Sequence, residues 1–149
     1  MLRSFSFRQT FSRLLRAQRR SRPAKTVEVF GWLILVEGMT MLFAPHLVAS
    51  VLHIPAFTVQ GANYFRLVGM LTSGLGMLYV VSGRLNSEEF VFATLLDRPL
   101  VPLVMGVLWY SDIIPGPLAL AFSLQDFASF VWTLASLRVE QGDEKVPSD

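Results

Sequence analysis

Residues 90–110 read FVFATLLDRPLVPLVMGVLWY, twenty-one positions that are apolar or small except for Asp97 and Arg98 near the middle. At 1.5 Å per residue such a helix crosses a hydrocarbon core of ~30 Å. Two opposite charges at its centre then demand partners, because one charge at mid-bilayer costs about 2.5–3.5 kcal/mol.

Three other stretches have the same character. They are VEVFGWLILVEGMTMLFA at 27–44, YFRLVGMLTSGLGMLYVVSG at 64–83 and GPLALAFSLQDFASFVWTLASL at 116–137. A soluble all-α domain would show a polar stripe on each helix, whereas these show isolated charges. The spacing predicts an all-α, integral membrane four-helix antiparallel bundle over 27–138. A basic amphipathic segment at 1–26 precedes it and a polar tail at 139–149 follows. Residues 45–63 are long enough for a short helix in the interface. RLNSEE at 84–89 makes a polar turn with Ser87 as N-cap, and SDIIP at 111–115 makes another.

Charged residues are 16% of the chain and mean hydropathy is +0.48, against about 25% charged in a soluble domain. Residues 1–26 hold eight of the thirteen basic groups (Arg3, Arg8, Arg13, Arg16, Arg19, Arg20, Arg22, Lys25) and none of the eleven acids. With Phe7, Phe11, Leu14 and Leu15 on one helical face, this head has the composition of a mitochondrial presequence. The alternative is a cytosolic tail that orients the first span and grips anionic lipid. Loop Lys and Arg counts put both termini on the positive-inside face. The expected location is the mitochondrial inner membrane with both termini in the matrix, or another membrane with both termini cytosolic. The basic head reads as targeting, not as a nucleic-acid surface.

With no cysteine, disulfides, thiolate metal sites, iron–sulfur clusters and thiol catalysis are excluded. His46 and His53 lie seven apart, ~10.5 Å on a helix, too far to share a metal. No phosphate loop, GxSxG or HExxH is present, and no mid-span histidine or Glu-x-x-His suggests haem or di-iron. No cofactor or metal is expected. Trp32, Tyr64, Trp109, Tyr110 and Trp132 read as interface belts and packing.

Two patterns remain. Gly69, Ser73, Gly76, Val80 and Gly83 recur at steps of four and three, a seam for close helix approach either between protomers or inside the bundle. Glu37 lies ten residues past Val27, Arg98 ten past Glu88 and Asp126 ten past Gly116, ~15 Å each, so three spans place a charge near one plane beside Asp97. Arg98 is expected to pair with Glu37, Asp126 or both, its fork serving two carboxylates. Pro99 and Pro102 should bend the helix there. The layer is either a clasp fixing helix packing or the wall of a cavity for a headgroup, a quinone or a proton path. Arg66, near the outer face, is placed to meet lipid headgroups.

The run NYFRLVGMLTSGLGMLYVVSGRL, a following span with an internal Arg98, and LQDF around Asp126 resemble small four-helix DoxX-like bacterial membrane proteins. The match covers about half the chain, at Arg66, Gly69, Arg98 and Asp126. The resemblance implies a four-helix bundle associated with redox complexes; the basic head departs from it and implies an organellar descendant. The leading expectation is an accessory or assembly component with no catalytic activity of its own, contacting membrane lipids and a membrane-protein partner or a second copy. The alternative is a membrane-embedded enzyme or lipid- or quinone-binding module on Glu37, Arg98 and Asp126.

Overall fold

The computed structural model describes residues 7–15 and 20–144, without the side chains of 7, 9, 10, 13 and 144. Arg3, Arg16, Arg19 and the Arg13 side chain therefore lie outside the described residues. The helices are α1 (Phe7–Leu15), α2 (Arg22–Phe43), α3 (Pro45–Val51), α4 (Val59–Arg84), α5 (Glu88–Asp97), α6 (Leu100–Tyr110) and α7 (Gly116–Glu144). Four helical stretches are long and apolar enough to cross a membrane: α2, α4, α5 with α6, and α7.

Local chemistry sets the ends. The Ser21 side chain accepts from the Ala24 amide and Pro23 stands in the first turn, so α2 starts at Arg22, five residues before the apolar stretch. Ser87 caps α5 through the Phe90 amide at 3.3 Å, with Glu88 and Glu89 in the favourable first turn. Asn86 takes φ 56°, which Asn tolerates, and its side-chain oxygen accepts from the Ser21 amide at 2.8 Å. The expected interfacial helix is α3. At the far end α7 continues through Glu144, well past Leu137 into the stretch read as a tail.

The third span breaks where the prolines stand. The Arg98 amide still reaches the Thr94 carbonyl at 3.1 Å, but Pro99 has no amide to offer Leu95, and a new helix begins at Leu100.

The closest packing joins α2 to α4. Ala24, Gly31 and Gly38 recur every seven residues on α2, and Gly69, Gly76 and Gly83 do so on α4. A Cβ on Gly83 would stand 2.7 Å from the Ala24 carbonyl oxygen, on Gly76 2.9 Å from that of Gly31, and on Gly69 2.7 Å from that of Gly38. Seven forward on α2 is seven back on α4, so these two helices run in opposite directions. A seven-residue repeat keeps the small faces opposed along the whole contact. The seam is thus an internal contact, and its α2 half went unrecognised in the sequence.

The exterior carries many large apolar side chains, unlike that of a water-soluble domain, and a few polar groups join an otherwise apolar core. The fully buried positions include Arg98 and Thr133, while Trp32, Phe43, Leu71, Met77, Phe92 and Leu103 are exposed. None of the α6 residues is buried.

Candidate functional site

Arg98 sits at the break between α5 and α6 with 0% exposure. Its Nη1 donates to the Thr133 hydroxyl at 2.8 Å and to the Ser129 carbonyl at 3.2 Å, both on α7. The Thr133 and Thr26 hydroxyl oxygens are 2.9 Å apart, and Thr26 donates to the Pro23 carbonyl at 2.8 Å. Arginine can only donate, so the proton order is fixed: Arg98 to Thr133, Thr133 to Thr26, Thr26 to Pro23. Nε and Nη2 have no hydrogen-bond partner among the described residues. The guanidinium instead lies 4.4 Å from the ring centre of Phe30 and 5.4 Å from that of Tyr79, on α2 and α4. Ring faces hold a desolvated cation by about 2 kcal/mol or more. One side chain from the third span thereby ties α2, α4 and α7 together.

The expected ion pair is not there. Among the described residues Arg98 pairs with neither Glu37 nor Asp126; the ion pairs are Arg20–Glu28, Arg84–Glu28 at 2.9 Å and Arg22–Asp143 at 3.1 Å. Two physical reasons explain the miss. Helical side chains tilt toward the N-terminus of their own helix. Arg98 therefore leans back toward Glu88 and reaches Ser129 and Thr133, three and seven residues (~4 and ~10 Å) past Asp126 along α7. Asp126 leans the opposite way. Moreover, α2 starts at Arg22, so Glu37 lies ~22 Å from its helix start, not ~15 Å.

The four charges accordingly take separate settings. Glu37 accepts a 2.9 Å hydrogen bond from the Gln125 side chain. Asp126 is half-buried, without a hydrogen-bond or ion-pair partner among the described residues, yet within electrostatic reach of Arg98, Asp97 and Glu37. Asp97 is exposed, midway along the α5–α6 stretch, and has no hydrogen bond or ion pair among the described residues. Arg66 is half-buried and donates to the Asn63 side chain at 3.0 Å.

Sequence reading missed Thr133, Ser129 and Gln125, which recur at steps of four within 116–137 and so share one face of α7. It also missed Glu28, which gathers Arg20 and Arg84 at the end of α2 and lies below the range in which a charge looks unusual.

Glu37 and Gln125 also form the polar wall of a cavity of about 260 Å³ between α2, α3, α4 and α7. No three His, Asp or Glu among the described residues stand close enough together to hold a metal ion. Compared with family models, curated proteins and solved structures, the chain matches none.

Proposed function

We propose that the chain is a four-span integral membrane protein, its helices bundled antiparallel, that serves as a non-catalytic component of a membrane complex. The apolar exterior supports the embedding: lipid is the medium that welcomes exposed Phe, Leu and Trp along four long apolar helices. The basic, acid-free head supports a mitochondrial inner membrane with both termini in the matrix. The pattern at Arg66, Gly69, Arg98 and Asp126 supports kinship with DoxX-like proteins.

Asp97 carries the accessory role. It is an exposed, unpartnered carboxylate midway along a span whose second half, α6, buries no residue. Hydrocarbon penalises such a group by about 2.5–3.5 kcal/mol. A Lys or Arg on a partner's span at the same depth removes that penalty and supplies the specificity. The occupant of this face is therefore a membrane protein with a cationic side chain at mid-depth.

The test is a photo-crosslinking amino acid at Leu100, with Leu71 on α4 as control, read on native gels from the source membrane. A discrete crosslinked species from Leu100 alone, abolished by Asp97→Leu and retaining a basic mid-span residue in the captured protein, supports the role. Equal crosslinking from both positions, or indifference to Asp97→Leu, contradicts it.

A further inference from the structure

The cavity at Glu37 is lined by α2, α3, α4 and α7 and by no residue of α6. Glu37 lies six residues (~9 Å) inside the C-terminal end of α2, and α3, which follows directly, supplies Leu47, Val48 and Val51 to the lining. Leu47 and Val51 of α3, 54% and 65% exposed, form its rim. Phe65 and Phe122 line the interior with aliphatic neighbours. At about 260 Å³ it exceeds the ~150 Å³ apolar cavity that accepts a benzene ring.

Only one part of the wall is polar, and its hydrogen-bond capacity is lopsided. Glu37 uses one oxygen for Gln125, and Thr40 spends its proton on the Val36 carbonyl at 2.8 Å. That leaves the second Glu37 oxygen and the Gln125 carbonyl oxygen as acceptors, against a single remaining Gln125 N–H. Acceptors in an apolar site call for a donor.

We propose that this cavity binds an uncharged, hydroxyl-bearing apolar molecule, its hydroxyl donating to Glu37 and its body lying between Phe65, Phe122 and α3. A phosphate or carboxylate head is repelled by Glu37 and blocked by α3. Two sources share the favoured chemistry, a phenolic ring and an aliphatic alcohol.

Native mass spectrometry of the full chain in detergent, titrated with 4-nonylphenol, 1-dodecanol and their O-methyl ethers, tests this. The expected result is at least tenfold tighter binding of one hydroxyl probe than of its ether, with the preferred probe identifying the source. Glu37→Leu should abolish that preference and Glu37→Gln, which keeps an acceptor, should retain it. Ala121→Phe, which fills the cavity and leaves both polar groups in place, should remove binding altogether. It keeps the proposal testable should Glu37→Leu not fold. Equal binding of hydroxyl and ether, or binding that survives Ala121→Phe, overturns the proposal; neither result bears on Asp97.

Discussion

Arg98 and Thr133 are both 0% exposed and joined by a 2.8 Å hydrogen bond, although neither has a carboxylate within ion-pair distance. A guanidinium is thus held inside an apolar molecule by hydroxyls, one carbonyl and two ring faces. Attraction from Asp126 and Asp97 acts across the gap and is not a contact.

Thr133→Val preserves shape and removes the acceptor, leaving a buried charged donor unmet. It should cost about 1.5–3 kcal/mol in unfolding from detergent. Arg98→Met takes away the charge itself and should cost less. Adding Thr133→Val to Arg98→Met should then change little, so a double-mutant cycle gives a coupling energy of more than about 1 kcal/mol. Additive effects would show that the pair does not share its burden.

Charge exchange discriminates this arrangement from a carboxylate clasp. Arg98→Glu should abolish stable expression, and adding Glu37→Arg or Asp126→Arg should not restore it, because neither carboxylate contacts Arg98. Recovery in either double variant, measured as monodisperse yield, would reinstate the ion pair.

The helix seam makes a graded prediction. A Cβ on Gly76 would meet the Leu35 amide nitrogen at 2.5 Å and its Cα at 2.8 Å, backbone that has nowhere to move. Gly76→Ala should destabilise by about 1–3 kcal/mol. Gly74→Ala, two positions away with nothing within 4 Å, should instead be neutral or stabilise by up to ~1 kcal/mol through helix propensity. Thermal melts of the two variants that coincide would rule the seam out.

At the end of α2, Glu28 joins Arg20 and Arg84, with the Glu28 side chain 11% exposed. Glu28→Gln should cost more than the ~0–1 kcal/mol of an open surface pair, and the loss should shrink in high salt. Arg22→Gln breaks only the exposed pair with Asp143 and should leave the melting temperature unchanged.

Much of this was legible beforehand, for reasons specific to each element. Span number and length follow from hydropathy. The Ser87 cap, the short helix α3 and the break at Pro99 follow from local backbone chemistry. The Gly69–Gly83 seam was visible, but its function as an internal contact needed the matching repeat at Ala24, Gly31 and Gly38, which two long side chains per turn disguise. Arg98 was singled out, but the groups it meets are not the carboxylates expected for it. Counting residues locates a Cα, whereas a guanidinium acts several ångströms away in a direction that depends on chain polarity. Threonine also vanishes in hydropathy sums and a backbone carbonyl leaves no trace in sequence, so the Thr133 hydroxyl and the Ser129 carbonyl that meet Arg98 were not legible.

Because the chain has no cysteine, one placed at Glu89 in the α4–α5 turn region and another at Asp112 in the α6–α7 turn can be labelled singly. In sealed membranes an impermeant maleimide should reach Glu89→Cys from one side only and Asp112→Cys only from the other, with Leu103→Cys silent from both. Labelling of the two turns from the same side, or ready aqueous labelling of Leu103→Cys, would contradict four membrane crossings.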